Sequence, residues 1–194
     1  IYVAINEEHD YLSNYTQIIY DDTKLYTERW KEVLPQLKED TFLFLHEDMV
    51  LFDEVDFGYI QRYYNLVNSG KVDSIKLIYT NSTNPASDID NTLIPSAFSI
   101  QPTLINQKYF VSLLNSVPSL NIWNFEEEVQ SIGNHYMVKL GGEKQRGEYH
   151  CDSKVFPYIA TAINKGKWNM SEYKEELDKL FGKYNINPFE RGIV

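Results

Sequence analysis

The sequence predicts an α/β fold with a mostly parallel central sheet flanked by helices. Three observations predict it. The first 80 residues alternate short apolar runs with helix-like segments, the order that builds a parallel sheet covered on both faces. The run Thr41-Phe42-Leu43-Phe44-Leu45 is continuously apolar, as a central strand with two buried faces must be. Both the second and the third apolar runs stop abruptly in acidic clusters, and open parallel sheets bind ligands at such carboxyl ends.

Ile1 to Ile5 reads as a buried strand that closes on Asn6-Glu7-Glu8-His9-Asp10. Ile18-Ile19-Tyr20 is a second strand ending in Asp21-Asp22. Thr23 to Lys38 has apolar positions near helical spacing (Leu25, Trp30, Val33, Leu34, Leu37), with Pro35 bending or shortening the helix. After the Thr41–Leu45 strand, Asp53 to Asn68 reads as an aromatic-rich helix and Ser74 to Tyr79 as a fourth strand. The organisation then changes. Asn81 to Pro95 is polar and reads as a long loop, a kind of segment that is usually functional or mobile. Ala97 to Leu104 reads as a strand interrupted by Pro102, and Asn106 to Leu114 and Phe125 to Ile132 read as helices. His135 to Leu140 is a strand, and Gly141 to Gly147 a flexible charged turn. Val155 to Ile163 is strand or helix. Ser171 to Lys183 is a helix with Ser171 as N-cap. The expectation is one domain over 1–194, with a nucleotide-binding half (1–80) and an acceptor-binding half (81–194).

The chain of 194 residues is long enough to bury a core without staples. Its net charge of −10 argues against nonspecific nucleic-acid binding, which needs a basic face. A nucleotide site stays compatible with that charge, because one metal ion neutralises a diphosphate locally. The 15 tyrosines suit pockets for sugars or bases, and equally a Tyr-rich core and surface. Cys151 is the single cysteine, so an intrachain disulfide is excluded, in keeping with a reducing compartment. No run of membrane-spanning length and no signal peptide is read, and the expected location is the cytoplasm.

Carboxylates gathered at strand ends repel, and a hard divalent cation offsets that repulsion. Mg²⁺ or Mn²⁺ takes one or two protein carboxylates and completes its shell with phosphate oxygens. Asp48, in His46-Glu47-Asp48, is the candidate ligand; solvated loop acids are the plainer alternative. In the second half, Asn121-Ile122-Trp123-Asn124-Phe125-Glu126-Glu127-Glu128 offers carboxylates that could take a proton from an attacking hydroxyl. The same acids would also suit the first turn of a helix. Lys76, inside an apolar strand, either snorkels to a sheet edge or points at phosphates. Lys144 and Arg146 are candidates to reach a diphosphate from the Gly-rich turn. Neither a Walker-type nor a Rossmann-type Gly-rich loop is present.

The segment Phe42-Leu43-Phe44-Leu45-His46-Glu47-Asp48-Met49 resembles the strand and metal motif of GT-A glycosyltransferases, with His46 in place of the first Asp of their Asp-X-Asp motif. Ile18-Ile19-Tyr20-Asp21-Asp22 is similar to their second strand, and Arg29 sits where the family often places an arginine near the nucleotide. The chain is also similar to small glycosyltransferase domains of large DNA viruses of algae, which would make the host cytoplasm its location. The resemblance implies a GT-A, Rossmann-like sheet with a smaller antiparallel element in the second half. It implies a hexosyl- or deoxyhexosyltransferase that uses a nucleotide-sugar donor, most often a UDP-sugar, and a glycan or other hydroxyl acceptor. Its implied residues are Ala4, Asn6, Asp21, Asp22, Arg29 and Glu47 for the nucleotide, Asp48 and His150 for Mn²⁺ or Mg²⁺, and Glu126 or Glu127 as catalytic base. Two alternatives stand beside it: a sugar-nucleotide nucleotidyltransferase, and a sugar- or protein-binding domain without turnover.

Overall fold

A computed structural model describes residues 1–46, 48–80, 82–145 and 151–194 of the chain. Strands β1 (Tyr2–Ile5) and β2 (Thr16–Ile19) form a parallel pair, with Ala4 opposite Ile18. The loop between them is tied down by Gln17, whose side chain accepts from the His9 N–H (2.8 Å) and donates to its carbonyl (2.9 Å). Helix α1 (Tyr26–Val33) then gives way to a 3₁₀ turn at Leu34–Gln36, because Pro35 lacks the amide proton that would continue the helix. Next come β3 (Thr41–Phe44), β4 (Val50–Leu51), α2 (Phe57–Asn68) and β5 (Ser74–Lys76). Asp56 caps α2 by accepting from the amides of Gly58 and Tyr59.

The second half supplies β6 (Leu93–Pro95), β7 (Thr103–Asn106), α3 (Gln107–Ser116), α4 (Ile122–Val129) and β8 (His135–Val138). Asn106 and Asn121 cap the two helices through their side-chain oxygens. The hairpin β9 (Gly141–Gln145) with β10 (Cys151–Ser153) follows. The chain ends in β11 (Tyr158–Ile159), β12 (Ile163–Asn164), β13 (Lys167–Trp168), α5 (Met170–Tyr184) and α6 (Pro188–Arg191). Strand β11 pairs with β4, and together they carry the apolar cluster of α5.

The central sheet has the order β3-β7-β5-β8-β6, and this overturns the expected mostly parallel GT-A sheet. Strand β7 is antiparallel to both β3 and β5, and β6 is antiparallel to β8; within this sheet only β5 and β8 pair in parallel. The β1–β2 pair forms a separate small sheet. The physical reason is that a β–α–β alternation fixes the relative direction of β3 and β5 but leaves open which strand lies between them. Thr103-Leu104-Ile105, buried on both faces, fills that place from the second half of the chain. Gly141–Gln145 is likewise a strand and not the flexible turn its composition suggested.

Strand alternation sorts the sheet's side chains onto two cores. Ile75, Leu77, Leu104 and Tyr136 pack with Tyr63 and Val67 of α2 on one face. On the other face, Phe44 and Ile105 pack with Phe110, Leu113, Phe125 and Tyr26 from α3, α4 and α1. Phe110 is the hub of this second core. Its ring lies 5.8–6.4 Å from those of Trp30, Phe42, Phe44, Phe98 and Phe125, separations at which tilted aromatic pairs attract. Helix α1 is held to the α3–α4 connection by the Tyr26 amide on the Leu120 carbonyl (3.2 Å) and the Ser119 amide on Thr27 Oγ1 (3.3 Å). Truncating Phe110 to alanine should therefore lower the unfolding free energy by about 3–5 kcal/mol. Urea denaturation of Phe110→Ala checks this, and a loss under 1 kcal/mol would mean that the aromatic cluster is not the mechanical centre of that face.

Candidate functional site

Strands β3, β5 and β8 all run in one direction, so their carboxyl ends share an edge of the sheet. Because β7 runs the other way, the backbone leading into it, Ser99–Pro102, arrives at that same edge. The Leu77 amide donates to the Pro102 carbonyl (2.8 Å), and Thr103 stands opposite both Phe44 and Lys76. The hairpin β9–β10 borders the edge as well. The Cys151 amide donates to the Tyr79 carbonyl (2.7 Å), and Gly141 lies so close to the Tyr79 ring that a Cβ there would sit 2.1 Å from it. On its far side the hairpin is joined to α5 by Lys144, 2.9 Å from buried Glu176.

One group of polar side chains at this edge gathers around Tyr158. Its hydroxyl donates to Gln101 Oε1 at 2.7 Å. Burial pushes the phenol far up, and the neighbouring charges of Tyr173 and Asp48 push it further. Asp48 thus lies within electrostatic reach of Tyr158. Its backbone is fixed by the turn that closes with the Met49 amide on the His46 carbonyl (3.1 Å) and by the Ala162 amide on its own carbonyl (3.0 Å).

A second group gathers around Glu126. The Ile100 amide donates to Glu126 Oε1. Burial raises this carboxyl; the Ile100 amide and the charge of Lys76 oppose that rise in part. Lys76, the last residue of β5, is only 7% exposed. Burial lowers its ammonium to about 8, against a weaker upward pull from Glu126. Consecutive residues, Ile100 and Gln101, therefore reach the two groups. Nearby, His135 is committed to structure. Ser74 Oγ meets its Nδ1 at 2.7 Å, while Tyr109 Oη (2.9 Å) and the Ile132 carbonyl (2.5 Å) meet Nε2. Because a carbonyl only accepts, Nε2 carries the proton and Nδ1 accepts from Ser74.

The residues expected at a nucleotide gather at the carboxyl end of the β1–β2 pair. Asn6 donates to Asp22 (3.4 Å). Asp21 accepts from the Thr23 amide (3.0 Å) and hydroxyl (2.6 Å), contacts that hold its carboxyl below the ordinary range. Arg29 donates to the carbonyls of Asp22 and Lys24 and lies 5.7 Å from the Tyr20 ring centre, so it braces this loop. Ala4 contributes strand backbone beside it.

Of the two candidate bases, only Glu126 turns inward. Glu127 is exposed, as is Trp123 at 75%. Glu47, His150 and Arg146 lie outside the described residues. Among the described residues, no three of His, Cys, Asp and Glu converge to hold a metal ion. Tyr158 and Gln101 were not expected in the site. The first is hidden in an apolar run and the second in a predicted strand, and no local signal marks either. No family model matches the chain, and no curated protein matches it in sequence. No helix among the described residues is long and apolar enough to cross a membrane.

The buried lysine has a measurable signature. Between about 8 and the ordinary 10.5, the unfolded chain binds the Lys76 proton and the folded chain does not. More protons in the unfolded state means that stability climbs as pH rises through this window. The difference in unfolding free energy, native chain minus Lys76→Met, should therefore climb by about 3 kcal/mol from pH 8 to 10.5. Denaturant titrations at a series of pH values check this, and a flat difference would place the ammonium in water.

Proposed function

We propose that the protein is a metal-dependent glycosyltransferase that moves a sugar from a nucleotide diphosphate donor, a UDP-sugar in the first instance, to a hydroxyl acceptor. The observation that carries the reading is that one stretch of backbone at the sheet edge bonds Glu126 through the Ile100 amide and, through Gln101, the Tyr158 hydroxyl, within electrostatic reach of Asp48. Two carboxylates with different surroundings suit two different tasks. Asp48 lies in a partly buried turn beside the neutral Tyr158 and suits a cation. Glu126 has a raised proton affinity and suits proton transfer.

In the proposed reaction the acceptor oxygen attacks the anomeric carbon while Glu126 Oε2 takes the hydroxyl proton. The bond from that carbon to the diphosphate breaks, and the nucleoside diphosphate leaves with the electron pair. A Mn²⁺ or Mg²⁺ ion held by Asp48 supplies positive charge to the departing diphosphate. Asn6, Asp21 and Asp22, on the loop braced by Arg29, are the groups offered to the nucleoside. The half-buried setting of Glu126 limits water there, which disfavours donor hydrolysis.

A thermal-shift screen of nucleotide sugars with and without Mn²⁺ tests the reading. The expected outcome is a rise in Tm that needs both donor and metal and disappears in Asp48→Ala. A rise that ignores metal, or that persists in Asp48→Ala, sinks it. With the donor so found, Glu126→Gln should cut kcat for UDP release by about 10²–10⁴ and leave donor KM nearly unchanged. Donor and metal binding without any release of UDP would instead favour a binding domain.

A further inference from the structure

We infer that the Lys76 ammonium anchors a phosphoryl oxygen of a ligand at the sheet edge. That this oxygen belongs to the diphosphate of a sugar donor rests on the transferase reading above; the anchor itself rests on where β5 places the side chain.

Ile75 and Leu77 belong to the core beneath α2. By alternation Ser74 and Lys76 point to the opposite face, where Ser74 meets His135. Thr103 of β7 and Met137 of β8 stand directly opposite Lys76, and Phe44 stands beyond Thr103, so all four share that face in one row. The row is the rim of the sheet, because β3 ends at Phe44, β5 ends at Lys76 and β7 begins at Thr103. Lys76 is thus covered on its flanks by neighbouring strands and lies at the edge where Asp48 follows β3.

Its polar neighbours in the row are engaged elsewhere. Thr103 Oγ1 donates to the Ser99 carbonyl (3.4 Å), and Met137 Sδ accepts from Thr80 Oγ1 (3.3 Å). Lys76 is only 7% exposed, yet among the described residues its ammonium has neither a hydrogen bond nor an ion pair. A covered ammonium without an acceptor is costly, and native structures almost always supply one. Here an oxygen of a ligand supplies it. The chain carries a net charge of −10, so a phosphate is drawn to it only where a cation is locally available. Other cations are committed or in water: Arg29 to the Asp22 and Lys24 carbonyls, Arg62 to Asp90 and Lys144 to Glu176, while Lys139, just beyond β8, is exposed. Lys76 is covered, uncommitted and at the edge. An ammonium is a compact charge with three donors, which suits phosphoryl oxygens. Asp48 and Lys76 come from either side of β7, so a metal ion on the first and the ammonium of the second would share the charge of a diphosphate.

The experiment is calorimetric binding of inorganic pyrophosphate and of UDP to the full chain, with and without Mg²⁺, in the native protein and in Lys76→Met. Folded Lys76→Met should bind both by about tenfold or more weakly, the loss expected for a charge-assisted hydrogen bond. Tighter native binding of UDP than of pyrophosphate supports the anchor as part of a nucleotide site, and equal binding supports it as a site for free phosphates. Unchanged affinities in folded Lys76→Met, or no saturable binding to the native chain in either condition, overturn the inference. Should Lys76→Met fail to fold, the native chain gives the test by brief acetylation and mass spectrometry. Saturating pyrophosphate should then slow acetylation of Lys76 and leave that of exposed Lys139 unchanged, and an unslowed Lys76 overturns the anchor. A chain that holds pyrophosphate through Lys76 but turns over no nucleotide sugar would refute the transferase reading and leave the anchor standing. Turnover of a nucleotide sugar with an unchanged donor KM in Lys76→Met would do the reverse.

Discussion

Strand β7 entering antiparallel between β3 and β5 is the constraint on which the candidate site depends. Had β3 and β5 been neighbours, the edge beyond them would hold only the outgoing ends of those two strands. With β7 between them, the incoming backbone at Ser99–Pro102 crosses the same edge and is anchored there by the Leu77–Pro102 hydrogen bond. Its Ile100 amide then meets Glu126 from α4, and its Gln101 meets Tyr158 from the C-terminal part of the chain. Elements distant in sequence are brought together by one short stretch of backbone.

The two faces of the sheet divide the work. Beneath α2 the packing is apolar, and its polar contacts serve structure: Tyr63 meets Thr92 (3.0 Å), and Thr92 meets the buried Asp90 (2.6 Å). The other face combines an aromatic cluster with the buried Lys76.

The β1–β2 pair stands apart from the central sheet in hydrogen bonding, yet its loop is well braced. The Arg29 guanidinium donates to the carbonyls of Asp22 and Lys24, and Asp21 Oδ1 accepts from the Thr23 amide and hydroxyl. Arg29 is therefore a brace for the loop first, and any contact with a nucleotide would come through the groups the brace orients. Asn6, Asp21 and Asp22, all exposed, are the ones so presented.

Much of this was written locally. The apolar run at Thr41–Phe44, the proline that ends α1 and the apolar stripe of α5 depend on neighbours a few residues away, and spacing alone reveals them; the N-cap of α5 is Asn169 and not the expected Ser171, which lies within the first turn. Glu126 and Asp48 drew attention as candidate acids because carboxylates at a helix start or after a buried strand stand out by position. Strand order was not legible. Period and propensity report which faces of a strand are buried and never which strand lies beside it, so a parallel sheet was expected where β7 makes it largely antiparallel. The inward turn of Glu126 rather than Glu127 and the arrival of Gln101 and Tyr158 were likewise decided only in three dimensions. Each is a contact between residues far apart in the chain, and burial, which sets the charge of those groups, exists only once the chain has folded around them.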